Sequence, residues 1–351
     1  MSNKAMIAMS GGVDSSVAAW LTKQAGYACT GATMRLFTTN EPDEAAEAQA
    51  VAERLGLPHL TFDFAAEFRQ QVMDKFAAAY EQGQTPNPCI SCNRQLKFGR
   101  LLEEAQHMGF SHLATGHYAR IEYDQGRGRW LLKKALDAGK DQSYVLFGLT
   151  QQQLACTLLP LGELTKAQVR QIAEQQSFAN AHKRESQDIC FVPDGDYAAF
   201  IQQHTGHSYP PGDFVNKQGQ VLGRHRGLIH YTLGQRHGMG LALGRPAYVC
   251  GLCPQQNTVQ VGFAEDLYIS GLRLREINLI TVPELNEPQY FAVKMGYRRR
   301  EQPALVQQTG PDELLIQFVR PQRTTGIGQA AVIYAGELVV GGGLIAKTLA
   351  N

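Results

Sequence analysis

The chain has 351 residues, 44% of them apolar. At ~100–200 residues per domain it should fold as two or three domains, and a wholly disordered chain is excluded. Lys and Arg number 33 against 32 Asp and Glu, for a net charge of +1, which excludes a strongly basic, indiscriminate nucleic-acid binder. No apolar run approaches the ~18 residues that span a bilayer. Met1–Ser10 lacks the apolar centre and cleavage site of a signal peptide, so the chain is expected to be cytoplasmic, with no membrane partner.

The first half alternates short strands with amphipathic helices. Strands are expected at Met6–Met9, Cys29–Phe37, His59–Phe64 and Leu113–Arg120. Helices are expected at Ser15–Gln24, Glu44–Leu55, Ala65–Tyr80 and Asn93–Met108, with a Pro-rich loop at Gln84–Pro88. That rhythm predicts a mostly parallel sheet covered on both faces. A hairpin follows over Tyr123–Lys133, turned at Asp124–Gly126. Further helices are expected at Gln151–Leu158, Lys166–Gln175 and Asp196–His204. Gly206, Pro210, Pro211 and Gly212 mark a boundary. Beyond it, short β-prone runs (Ala247–Val249, Thr258–Val261, Phe291–Met295, Leu314–Phe318, Ala331–Tyr334) predict antiparallel β structure. The expected division is an α/β domain over 1–205, a small β-rich domain over 206–266 and a C-terminal antiparallel β-barrel over 267–351.

The strongest local signal is Ser10-Gly11-Gly12-Val13-Asp14-Ser15-Ser16, between the first strand and the first helix. The glycines let backbone approach a ligand closely, and the helix N-terminus offers N–H groups and a positive dipole end to an anion. A negative Asp14 would repel a phosphate, so it is expected to organise the loop or hold Mg²⁺. The motif is not a Walker A loop and lacks the third glycine of a dinucleotide fingerprint.

Seven cysteines, an odd number, do not read as a disulfide framework. Cys29 and Cys156 read as core, and Cys250 and Cys253 as a strand end and turn. The spacing between the two Cys-x-x-Cys pairs argues against one zinc site. Cys89 and Cys92 lie in Thr85-Pro-Asn-Pro-Cys-Ile-Ser-Cys-Asn93, just before an expected helix. Cys92, nearer that N-terminus and followed by Arg94 and Lys97, is expected to have a lowered pKa. Cys190 is placed in a loop. A thioredoxin-like role for Cys89 and Cys92 would leave the phosphate loop unexplained.

Ser-Gly-Gly-Val-Asp-Ser resembles the pyrophosphate loop of the N-type ATP pyrophosphatases, which adenylate a carbonyl oxygen and let a nucleophile displace AMP. Further motifs follow in order: Thr85–Phe98, Ala114–Ala119, Lys140–Tyr144, Gln187–Phe191, Tyr231–Arg236 and Gly341–Gly343. The set closely resembles the tRNA-specific 2-thiouridylases, the MnmA family, over nearly the whole chain. The resemblance implies that ATP adenylates O2 of the wobble uridine in tRNA. Cys190 receives sulfur as a persulfide from an upstream donor, and Cys92 resolves it. Carried over by position, Ala8, Met9, Ser10, Gly11, Gly12, Val13, Asp14, Ser15, Met34 and Gly116 would hold ATP. Asn87, Pro88 and Cys89 would frame the target base. His117, Lys140, Asp141, Gln142, Gly296, Tyr297 and Gln329 would meet tRNA. Taken alone, His117 reads as a satisfied core histidine. The chain is expected to act as a monomer.

Two departures stand out. Cys89 replaces an Asp found in many relatives, and a thiol cannot take over a carboxylate's proton chemistry, which turns attention to Asp188. It also raises a second route to the same product: Cys89, Cys92 and Cys190 as ligands of a [4Fe–4S] cluster with one open iron. Gly296 stands where relatives often have Arg, and Arg298–Arg300 are expected to compensate. Two competing functions are an ammonia-using synthetase, which would not need Cys92 and Cys190, and a non-enzymatic tRNA binder, which would not need an intact phosphate loop.

Split at the expected boundaries, the charge is uneven. Residues 1–205 carry 19 basic and 22 acidic side chains, 206–266 carry 5 and 3, and 267–351 carry 9 and 7. The basic clusters (Arg224 with Arg226, Arg298–Arg300, Arg320 with Arg323) suit phosphate contacts that position a folded RNA.

Overall fold

A computed structural model describes residues 3–37, 44–183 and 189–350. The N-terminal sheet is built from β1 (Lys4–Ala8), β2 (Ala28–Arg35), β3 (His59–Asp63) and β4 (His112–Ala114). The chain then forms the hairpin β5 (Arg120–Asp124) and β6 (Arg129–Lys133), and returns to the sheet as β7 (Thr157–Leu158). The order is β3-β2-β1-β4-β7, and every pairing is parallel. The central strand β1 has Ala5, Met6 and Ile7 fully buried. It is apolar on both faces because helices cover both.

Several expected boundaries move. The first helix, α1, is Val13–Gln24 and starts two residues earlier than expected. The expected helix Gln151–Leu158 stops at Ala155, and Thr157–Leu158 becomes the fifth strand, paired with Leu113 and Ala114. The strand expected to reach Arg120 ends at Ala114. The helix expected from Asn93 begins at Pro88 and continues through a π-wound stretch, Asn93–Leu101, to His107. We refer to it as the cysteine helix.

The central sheet runs Tyr248–Cys253, Thr258–Gly262, Gly212–Val215, Val221–His225. It is mixed rather than purely antiparallel, because Thr258–Gly262 pairs in parallel with Gly212–Val215. Phe214, Val249 and Val259 form its core. The C-terminal barrel is antiparallel. It closes when the first strand, Tyr268–Leu279, pairs with both Glu313–Arg323 and the last strand, Leu338–Ala350. Gly341–Gly343 lie in that last strand. A Cβ at Gly341 would stand 2.3 Å from the Asn278 carbonyl oxygen, and one at Gly342 2.6 Å from that of Ala331, so only glycine lets the barrel close this tightly.

The barrel is fused to the α/β domain. The hairpin β5–β6 joins the barrel sheet through Lys133 and Leu338. One apolar cluster runs from Met6 and Leu113 through Tyr144 and Phe147 to Val332 and Tyr334. A hydrophobic junction of this kind holds two domains in one arrangement. No helix among the described residues is long and apolar enough to cross a membrane.

Candidate functional site

The phosphate loop is a tight turn feeding an open helix end. Gly11 has φ +70°, a left-handed conformation suited to glycine. Gly12 caps α1 without any side-chain capping bond, so the first-turn N–H groups remain available to an anion. Loop hydroxyls set the shape: Ser15 and Ser16 Oγ donate to the Gly12 carbonyl at 2.9 and 3.0 Å, and the Ser10 amide donates to Ser15 Oγ at 3.2 Å. Met9, Val13 and Ser15 are buried beneath the turn, while Ser10 is exposed on it. Asp14 Oδ1 accepts from the Tyr118 hydroxyl at 2.8 Å and from Lys166 Nζ at 2.7 Å. Of its two expected roles, organising the loop is the one this geometry performs. Met34 packs beside Ala8 on the apolar cluster under β1. Gly116 lies against the first turn of α1, where a Cβ would meet the Asp14 carbonyl carbon and the Ser15 amide at 2.8 Å.

Asn180 carries no sequence signal, yet it braces this loop. Its Nδ2 donates to the Gly11 carbonyl at 2.8 Å and to Ser16 Oγ at 2.9 Å. Its Oδ1 is buried and has no hydrogen-bond partner. A lone Asn in a loop belongs to no motif, so only the fold reveals it. Asn180→Ala should leave the buried Gly11 carbonyl short of a donor, at a cost of about 1–3 kcal/mol. The Michaelis constant for ATP should rise about tenfold, and steady-state kinetics over an ATP series check this.

The cysteine helix is set by its cap. Asn87 Oδ1 accepts the Cys89 amide at 3.1 Å, and Pro88 occupies the first helical position. Cys89 therefore sits in the first turn, and Cys92 lies more than a turn in. The expectation that Cys92 gains most from the helix end is corrected by this start. Both thiols are raised from the ordinary thiol pKa: surrounding protein pushes them up, and Lys97 pulls the other way less strongly. For Cys92 the neighbouring Cys89 adds a further push upward. Burial overrides the helix dipole here. Thiolate then appears only as pH rises through a raised pKa. Alkylation of Cys92 in the protein without tRNA should still be accelerating above pH 9, the ordinary thiol value. A rate that levels off near neutral pH would contradict this.

Cys190 is exposed on a tight turn closed by the Val192 amide on the Ile189 carbonyl at 2.8 Å. The turn is nailed down by Phe191, whose ring lies 5.3 Å from Phe76 and 5.7 Å from Phe68. Cys92 and Ile189 pack on the same cluster, so the two sulfur-bearing elements share one apolar base. No disulfide joins any of the seven cysteines. Cys29 is buried as expected, Cys156 is half-buried, Cys250 lies within the strand Tyr248–Cys253, and Cys253 ends that strand before a turn. Among the described residues no three His, Cys, Asp or Glu side chains gather to hold a metal. Cys89, Cys92 and Cys190 are thus not assembled as cluster ligands. Gln187 and Asp188 lie outside the described residues.

The residues expected to meet tRNA divide into two kinds. His117 is 8% exposed, with Nδ1 2.9 Å from the Thr115 hydroxyl and its ring 5.8 Å from Phe98. Burial, and secondarily Lys97, holds its imidazole well below the usual pKa, so it is a neutral core histidine beneath the site. Asp141 accepts the Ala135 amide and the Ser143 amide and hydroxyl. Gln142 Oε1 accepts the Tyr118 amide at 2.9 Å. Gln329 Nε2 donates to the Thr85 carbonyl at 2.7 Å. Each of these four side chains has a hydrogen-bond partner within the chain. Lys140 is half-exposed, and Tyr297 is 40% exposed with its ring 6.1 Å from Tyr144 and Lys294 Nζ 5.7 Å from its centroid. Beside Gly296, Arg299 turns inward and donates to the Arg323 and Thr324 carbonyls, while Arg298 and Arg300 face solvent.

Comparison with known proteins places this arrangement. A family model described as tRNA methyl transferase HUP domain matches residues 3–194. A tRNA methyl transferase PRC-barrel domain matches 198–263, and an aminomethyltransferase beta-barrel domain matches 269–345. The tRNA-specific 2-thiouridylase MnmA of Moorella thermoacetica is 46% identical over 97% of this chain and 98% of its own. The chain belongs to the tRNA-specific 2-thiouridylase MnmA family. Its similarity to two further members spans both chains almost completely: MnmA 1 of Caldanaerobacter subterraneus is 44% identical and MnmA of Clostridioides difficile 42%, each over 99% of both chains. Within this family frame the α/β, PRC-barrel and closed β-barrel units correspond to the three kinds of structure expected from the sequence.

Proposed function

We propose that this chain is an ATP-dependent tRNA sulfurtransferase that converts the wobble uridine to 2-thiouridine, releasing AMP and pyrophosphate. The observation that carries the reading is the common aromatic base under Cys92 and the Cys190 turn, in the domain that also carries the phosphate loop. ATP, with Mg²⁺ on its phosphates, would lie on the Ser10–Ser15 loop, held in shape by Asp14, Gly116 and Asn180. The uridine O2 attacks the α-phosphorus, which makes a poor leaving group into a good one. Cys190 carries the incoming sulfur as a persulfide. Its terminal sulfur attacks C2 directly, or leaves as sulfide when the Cys92 thiolate attacks Cys190 Sγ. Either way C2 gains a C–S bond and AMP leaves; on the direct route the Cys92 thiolate then attacks Cys190 Sγ of the adduct and releases the sulfur on C2, so both routes end in a Cys92–Cys190 disulfide that two electrons must reduce before the next turnover.

Asn87, Pro88 and Cys89 frame the base, and the division at 205/206 and 266/267 separates the catalytic, linking and tRNA-contacting units. Lys140, Asp141, Gln142, His117, Gly296, Tyr297 and Gln329 form or support the tRNA side. The sulfur donor is an upstream persulfide-bearing protein, and the chain acts as a monomer. Pyrophosphate release from ATP that requires tRNA tests the adenylation half. Release at the same rate without tRNA would contradict it. The three-cysteine [4Fe–4S] route requires Cys89 to join the two thiols. Colourless, iron-free protein prepared without air should therefore be fully active, whereas activity that requires iron would favour the cluster.

A further inference from the structure

The barrel does more than present a surface: one of its loops is bonded to the segment that launches the cysteine helix. The Thr85 amide donates to the Ile327 carbonyl at 2.8 Å, and Gln329 Nε2 donates back to the Thr85 carbonyl at 2.7 Å. Two glycines permit the approach. A Cβ at Gly326 would stand 2.8 Å from Thr85 Cβ and Oγ1, and one at Gly328, at φ +87°, would stand 3.3 Å from the Gln84 side chain. Two residues beyond Thr85, Asn87 caps the cysteine helix. Further along, Asn93 Nδ2 donates to the Val145 carbonyl, and Arg94 pairs with Glu276 on the barrel's first strand at 3.3 Å. The fully buried Tyr144 reaches the Ala330 carbonyl at 2.8 Å, next to Gln329.

We propose that the 324–329 loop of the barrel is a strut that fixes the start of the cysteine helix, with the Gln329–Thr85 bond as one of its ties. The carbonyl that Gln329 satisfies belongs to the loop two residues before the cap, so losing it frees the cap and the first turn that holds Cys89. Through this strut the barrel sets where Cys89 and Cys92 stand relative to the rest of the site. The consequence for catalysis rests on the thiolation reading. The mechanical claim does not.

The test uses the full chain and two substitutions, Gln329→Ala and Gly326→Ala. The first removes the bond to Thr85, and the second drives a methyl group into the Thr85 side chain. Alkylation of the half-buried Cys92 by iodoacetamide without tRNA, followed by mass spectrometry, should accelerate about tenfold in both variants, because a freed helix start opens more often. Cys29, buried in the separate cluster beneath α1, should stay protected, which distinguishes local release from unfolding. Adding Thr85→Gly to Gly326→Ala removes the collision and should restore protection. In thiolation assays Gly326→Ala, which leaves Gln329 in place, should lose about 10²-fold in kcat, the scale of a small misplacement of reacting groups. Unchanged alkylation in both variants overturns the strut whether or not the chain thiolates RNA. Thiolation fully restored to Gly326→Ala by saturating tRNA overturns it too, because the loss would then lie in binding and not in the placement of the cysteine helix.

Discussion

Cys190→Ser should abolish formation of 2-thiouridine, by roughly 10³-fold or more, while a single burst of tRNA-dependent pyrophosphate release remains. A serine hydroxyl cannot carry sulfane sulfur, but the phosphate loop and the cysteine helix do not depend on it. Cys190 is exposed at the tip of a turn whose anchors are Ile189, Phe191 and Val192, so the substitution removes a reactive atom and leaves those apolar anchors in place. Cys92→Ser should differ in kind. Cys92 rests on the aromatic cluster and is largely enclosed, so its loss also costs some stability. It should stall with sulfur still bound as the Cys190 persulfide or as its adduct with the RNA. Mass spectrometry of the trapped protein distinguishes the two variants: added sulfur on Cys190 in Cys92→Ser, none in Cys190→Ser. Full formation of 2-thiouridine in both variants would contradict the persulfide route through Cys190 and Cys92.

Gly116→Ala should disable the phosphate loop by the addition of a single methyl group. The new methyl group would lie 2.8 Å from both the Asp14 carbonyl carbon and the Ser15 amide nitrogen. Those atoms are backbone in the first turn of α1 and cannot swing aside as a side chain end can. Either β4 and α1 separate, or the first turn unwinds. Overpacking of this kind costs about 1–3 kcal/mol, and it falls on the N–H groups that would receive the nucleotide. ATP-dependent pyrophosphate release should drop at least about 10²-fold, with a lowered melting temperature. Gly31→Ala is a useful contrast, because the nearest atom to its methyl group would be the end of the flexible Met9 side chain. It should retain more activity than Gly116→Ala.

The fold class is legible in the sequence because its signals are local. Alternating apolar strands and amphipathic helices give a parallel sheet, and the burial of both faces of β1 bears that reading out. The phosphate loop is legible for the same reason, since Gly11, Gly12 and the strand-to-helix position are adjacent in sequence. What stays hidden depends on pairings across long separations. Thr157 and Leu158 look like the end of a helix until Leu113 and Ala114 offer a parallel edge. The β5–β6 hairpin reads as an α/β excursion, yet Lys133 pairs with Leu338 in the barrel. Asn87-Pro88 is a readable cap and first-position proline, but the Pro-rich run around it reads as loop, which sets the expected helix start too late. That late start assigns the helix-dipole argument to the wrong cysteine. For Cys92 the larger effect is burial, which depends on Phe68, Phe76 and Phe191 meeting in space. Asn180 and the Gln329–Thr85 bond carry no spacing signal at all.

The central claim is the chemistry at C2 of the wobble uridine. The direct measurement incubates the purified chain with unmodified tRNA, ATP, Mg²⁺ and a sulfide or persulfide source, digests the RNA and weighs its nucleosides. The expected product is 2-thiouridine that requires ATP, with AMP and pyrophosphate formed alongside it. A methylated or unchanged wobble uridine under those conditions would contradict it.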